Sequence, residues 1–127
     1  MKTRDDRSLE RESVRKSARL PSMPSRSLIS PADLRLAAGE AVAALKLLGN
    51  EDRLLLLCQL AAGEMCVSEL EAVLDIRQPT LSQQLAVLRG EGVVGTRREG
   101  KRIHYRITDP RLLEVLGVLY RLYCPKE

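Results

Sequence analysis

The sequence predicts a mainly α-helical chain carrying one β-hairpin, a winged helix–turn–helix. Three observations predict it. Two short helical patterns flank a break at Asp75–Gln78, the apolar period switches from helical to alternating after Gly92, and the alternating part is split by the turn-forming link Glu99-Gly100-Lys101. The expected order is five helices, with a two-stranded wing between the fourth and the fifth.

The first helix is expected over Asp33–Leu48, where Leu34, Ala37, Ala38, Ala41, Val42, Leu45 and Leu48 recur at helical spacing. Gly49 and Asn50 end it, and Asn50 is placed to cap a second helix over 51–62, with Leu54, Leu57, Cys58 and Ala61 along one face. Leu55, Leu56 and Leu60 widen that face, and Gly63 stops the helix. Glu64-Met65-Cys66 reads as a link. In the helix–turn–helix, Leu70, Val73 and Leu74 form the apolar side of the first helix. Leu81, Leu85 and Leu88 do so for the second, with Pro79 at its first position. The segments Val93–Arg98 and Arg102–Ile107 alternate as strands, with Val94 and Thr96 on one side and Ile103, Tyr105 and Ile107 sharing a side. Asp109-Pro110 opens the last helix, over 110–123.

Composition narrows the function. There is no Phe and no Trp, so the core must be built from Leu, Val, Ile and Ala. No run approaches a membrane span and the start has no apolar leader-like stretch, which points to a cytoplasmic, nucleoid-associated protein. Residues 1–30 carry eight Lys/Arg against four Asp/Glu and read as a basic flexible tail; residues 31–127, the expected folded domain, are neutral overall. Within that neutral body, 77–106 holds seven cations against Glu91 and Glu99. Such a local excess suits a nucleic-acid face.

Taken alone, 68–89 fits a helical hairpin with a polar surface as well as it fits a DNA reader. The basic hairpin behind it decides for duplex DNA. The second helix turns hydroxyls and carboxamides outward, a surface suited to base edges and phosphates in a major groove. The expected DNA-binding residues are Gln78, Thr80, Ser82, Gln83, Gln84 and Arg89 on and around that helix, and Arg97, Arg98, Lys101, Arg102 and His104 on the wing. The first helix is too apolar for a lone small domain, and with the last helix it is expected to form a homodimer interface. A two-fold protein reads an inverted repeat.

The three cysteines, Cys58, Cys66 and Cys124, form neither a disulfide framework nor a zinc set by spacing. A single histidine, His104, leaves few routes to a transition-metal site, and no metal or cofactor is expected. Without CxxC or an acid–base pair, a thiol–disulfide enzyme is not supported. Cys58, inside Leu-Leu-Leu-Leu-Cys-Gln-Leu, reads as a small buried apolar residue. Cys124, beside Pro125, is harder to place in a core.

The segments Ala44–Leu54, Glu64–Leu70, Gln78–Leu88 and Arg97–Tyr105, in this order, resemble the ArsR/SmtB family of bacterial winged-helix repressors over about residues 33–124. Metal sensors in that family often carry Cys-Val-Cys at the start of the first helix of the helix–turn–helix. Here Cys66-Val67-Ser68 keeps one thiol only, and the last helix lacks the histidines of the family's other familiar site. The pair Cys58 and Cys124, with the ending Leu119-Tyr120-Arg121-Leu122-Tyr123-Cys124, is similar to the dithiol BigR/SqrR/HlyU-like branch, which responds to persulfides or oxidants. The resemblance implies a repressor released from operator DNA when Cys58 and Cys124 close an intraprotomer disulfide or polysulfide bridge. Two alternatives stay open: a soft-metal or metalloid sensor using Cys58, Cys66 and Cys124, and an anti-repressor that activates by displacing another DNA-binding protein.

Overall fold

The computed structural model describes residues 29–125, so the basic tail expected over 1–30 lies almost entirely outside the described residues. The chain divides into two units, Met1–Ala37 and Ala38–Glu127, with the boundary inside the first helix. The elements are α1 (Pro31–Leu48), α2 (Glu51–Ala61), β1 (Met65–Cys66), α3 (Val67–Val73), α4 (Thr80–Gly90), β2 (Val94–Glu99), β3 (Arg102–Ile107) and α5 (Pro110–Tyr123). The winged helix–turn–helix is therefore present, with α3 and α4 as its helical pair and β2–β3 as its wing.

Local chemistry sets the boundaries. The Asn50 side chain accepts from the Arg53 backbone N–H at 3.0 Å, and Asp109 accepts from that of Arg111 at 2.9 Å, so both expected caps are made. Pro79 sits one place earlier than expected, at the cap of α4 rather than inside it. The hairpin turns through two residues, Gly100 and Lys101, between the paired Glu99 and Arg102. Gly100 supplies the positive φ (62°) that a type II′ turn needs at its first loop position.

One element was not expected. Met65–Cys66, read from the sequence as a link, is a strand pairing antiparallel with β3, which gives the sheet order β1-β3-β2. Two residues are too short to show alternation, so the strand is set by its partner rather than by its own pattern. The pairing defines two cross-strand rows: Met65, Tyr105 and Thr96 on one face, and Cys66, His104 and Arg97 on the other. Met65, Tyr105 and Ile107 pack against the core.

The core is almost wholly aliphatic. Leu56 and Leu57 of α2, Leu70 of α3, and Leu81, Leu85 and Leu88 of α4 are its fully enclosed residues, joined by Leu60, Leu112, Leu116, Val93 and Val94. Two assignments change. Ala61 is exposed, and α2 instead buries Leu56, Leu57 and Leu60 because it packs against α4, α5 and β3 at once. Val73 is exposed, and Ile76, in the turn, fills the core beside α3 instead. In α1 only Leu47 of the eighteen residues is buried, so the apolar face of this helix is open in the protomer.

Leu85→Ala should cost about 2–5 kcal/mol in urea unfolding, the usual penalty for emptying an enclosed leucine site. Arg98→Ala, on the exposed wing, should stay within about 0.5 kcal/mol of the parent.

Candidate nucleic-acid interface and thiol pair

Helix α4 buries one leucine stripe and turns most of its other residues outward. With Leu81, Leu85 and Leu88 inward, Ser82, Gln83 and Arg89 are exposed and Thr80 is half-buried. Gln78 acts on the helix itself. Its Oε1 accepts from the Ser82 backbone N–H (3.1 Å) and from the Ser82 hydroxyl (2.6 Å), while its Nε2 donates to Glu71 (3.1 Å). The side chain thus satisfies a free donor at the helix start and ties α4 to α3 across the turn. α4 begins with no acidic residue in its first turn, which keeps its positive end open to phosphate.

Gln84 is different. It is half-buried, and its Oε1 accepts from Arg53 Nη1 at 3.1 Å. Arg53 also donates from Nε to the Leu47 carbonyl (3.0 Å) and from Nη2 to that of Lys46 (3.1 Å). One guanidinium therefore caps the free carbonyl end of α1 and holds the reading helix from the first turn of α2. Sequence reasoning did not include Arg53, at the third position of α2, among the site residues. An arginine there, where a capping box has an acid, was the available signal.

On the wing, Arg98, Lys101 and Arg102 are exposed, with Lys101 and Arg102 at or beside the tip. Arg97 is exposed but engaged: it pairs with Glu64 and, at 3.3 Å, with Glu99. The hydrogen bond from Arg97 holds the Glu64 carboxyl below its ordinary range. His104 faces inward from the sheet, opposite Cys66, with its Nε2 enclosed and without a hydrogen-bond partner. Nearest in charge is Glu99, at 3.7 Å.

The cysteines occupy three environments. Cys66 is buried, Cys58 is half-buried on α2, and Cys124 is exposed at the end of α5, all as free thiols. Burial, and next the neighbouring Cys124, push the Cys58 thiol above its ordinary range. The two cysteines are 66 positions apart in the chain, and the packing of α2 against α5 brings their helices together. The three sulfurs do not converge as a trio. Among the described residues, the one group of three or more potential ligands with donor atoms within 4.8 Å of one another is Cys66, Glu69 and His104.

A helix with an outward polar face, followed by a basic hairpin stitched to its own entry strand, defines a winged-helix DNA-binding regulator. The family described as "Bacterial regulatory protein, arsR family" matches residues 50–96. The chain is 52% identical over 90 residues to the "Biofilm growth-associated repressor" of Agrobacterium fabrum, covering 71% of this chain and 77% of that one. Its fold is similar to the solved transcriptional repressor BigR from Xylella fastidiosa, with a TM-score of 0.70 and 43% identity over 77% of this chain and all of that one. It is also similar to reduced HlyU from Vibrio cholerae, with a TM-score of 0.69 and 38% identity over 72% and 97% of the two chains. The chain belongs to the ArsR family of regulatory proteins.

Arg53→Ala and Gln84→Ala should each weaken DNA binding. Their effects should be non-additive by about 0.5–3 kcal/mol in a double-mutant cycle read by fluorescence anisotropy, since each removes the same contact. In the reduced protein at neutral pH, Cys124 should alkylate well before Cys58. A raised thiol pKa keeps Cys58 protonated, so its alkylation should accelerate as pH rises toward that value, as read by mass spectrometry of quenched samples.

Proposed function

We propose that this protein is a homodimeric transcriptional repressor that binds an inverted-repeat operator and releases it when Cys58 and Cys124 become bridged. The observation that carries the reading is the packing of α2, which holds Cys58, against α5, which Cys124 ends. Its DNA-binding half rests on α4 and the wing. Ser82, Gln83 and Arg89 face outward for groove and phosphate contacts, and Arg98, Lys101 and Arg102 extend the cationic surface.

The dimer rests on exposed apolar surface. Val42 and Leu45 on α1, and Leu113, Val115, Val118, Tyr120, Leu122 and Tyr123 on α5, are open in the protomer. An amphipathic last helix with only Leu112 and Leu116 buried has a second face to cover, and a second copy covers it symmetrically.

The chemistry follows from exposure. The accessible Cys124 thiolate attacks the outer sulfur of a low-molecular-weight persulfide, forming Cys124–S–SH and expelling the donor's thiolate. Cys58, once deprotonated, attacks the inner sulfur and expels hydrosulfide, leaving a Cys58–Cys124 disulfide. The two thiols are oxidised, and the sulfur–sulfur bond of the donor is reduced. Burial around Cys58 suits the second, resolving role, in which a neighbouring electrophile compensates for a low thiolate fraction. The bridge fastens α2 to the end of α5. Because Arg53 on α2 holds Gln84 on α4, movement of α2 reaches the reading helix. Only the difference in bridge stability between DNA-competent and incompetent forms drives release.

With a labelled inverted-repeat duplex whose half-sites lie about one helical turn apart, the reduced protein should bind with an affinity that falls steeply with salt. Treatment with a persulfide donor should lower affinity at least about tenfold, a coupling of about 1.4 kcal/mol. Intact mass should report the bridge, and Cys58→Ser and Cys124→Ser should both bind DNA before and after treatment. Undiminished affinity in a sample shown by mass to be fully bridged would sink the switch.

A further inference from the structure

Cys66, Glu69 and His104 are separated in sequence by as many as 38 positions, yet three elements bring them together. Cys66 ends β1 and begins α3, Glu69 lies on the first turn of α3, and His104 is the cross-strand partner of Cys66 on β3. Their donor atoms lie within 4.8 Å of one another. The backbone largely fixes these positions. The pairing of Cys66 with His104 sets one edge, and the hydrogen bond from the Cys66 N–H to Glu69 Oε1 (2.9 Å) sets the second.

The histidine supplies an independent observation. An enclosed imidazole nitrogen without a partner is costly, because the group has given up water and gained nothing in return. His104 Nε2 is in that position, with Glu99 3.7 Å away, and a ring nitrogen of the same imidazole lies within 4.8 Å of the Cys66 and Glu69 donor atoms. A soft sulfur, a borderline nitrogen and a hard oxygen together make a donor set suited to zinc, with water or the nearby Glu99 completing a tetrahedron. Zinc holds such donors at roughly 2.0–2.3 Å, or about 3.5 Å from one another. Closing on an ion thus asks for side-chain shifts on the order of 1 Å.

We propose that Cys66, Glu69 and His104 form a divalent-cation site of zinc type, contained within one protomer and distinct from the Cys58–Cys124 pair. It differs from a Cys-Val-Cys arrangement in taking its second strong ligand from the wing. Ser68 fills the place of the second thiol in that arrangement, and its hydroxyl lies 3.2 Å from Cys66 Sγ. An ion here joins the start of α3 to strand β3 and so fixes the wing against the helix–turn–helix.

The test uses the full-length, reduced, metal-free protein carrying Cys58→Ser and Cys124→Ser, so that it is independent of the dithiol switch. Cobalt(II) should give a thiolate-to-metal charge-transfer band saturating at one ion per protomer, and zinc should abolish it by displacement. Adding His104→Gln should weaken zinc binding at least about 100-fold, the scale on which loss of a ligand exceeds loss of an outer partner. Zinc should raise the thermal midpoint of the parent and not of the His104→Gln variant. Absence of the thiolate band in the parent, or a band and zinc affinity unchanged by His104→Gln, would overturn the proposal. The parent spectrum decides even if Cys66→Ser, at a buried position, fails to fold.

Discussion

The burial of Leu81, Leu85 and Leu88 is the constraint on which the rest of this protein depends. A helix of eleven residues is marginal by itself in water. α4 is held because this stripe is enclosed with Leu56 and Leu57 of α2 and Leu70 of α3. Fixing the stripe also fixes the opposite face, so a core interaction decides which side chains are offered to DNA. With no Phe or Trp, this orientation rests mainly on aliphatic packing, which is sensitive to the loss of a single methylene or two.

A second layer of control is polar. Gln78 fastens the start of α4 to Ser82 and Glu71, and Arg53 fastens its middle, through Gln84, to the end of α1. The leucines set the helix's rotation, and these two side chains tie it to α3, α2 and α1. Arg53 stands on the same helix as Cys58 and five residues before it, which places one proposed sensor thiol and the tether of the reading helix on one element.

Much of this was legible in the sequence because it is local. Asn50 and Asp109 announce helix starts, Gly100 announces a two-residue turn, and the leucines of α4 recur at helical spacing. The errors arose where tertiary contacts choose among several apolar residues. In α2 nearly every position is apolar, so periodicity could not say that Ala61 would be exposed and Leu60 buried. β1 escaped because a two-residue strand has no pattern of its own. With β1 missed, the meeting of Cys66 and His104 was invisible as well, and His104 read as a wing residue near phosphates rather than one turned toward a thiol. Spacing rules find ligands that share a helix or a loop, and these lie on two strands and a helix.

The seam between β1 and β3 makes the wing less of an appendage than its hairpin shape suggests. Strand β3 is paired on both sides, to β2 along its whole length and to the entry of α3 through Met65 and Cys66. Hairpin and the first helix of the helix–turn–helix therefore form one stiff jaw. A stiff jaw cannot relax its grip finger by finger; in the proposed dimer it can only change its angle to its twin. In the proposed dimer the quantity that a signal alters is then span, and operators differing by a base pair in half-site separation become the natural ruler for its state.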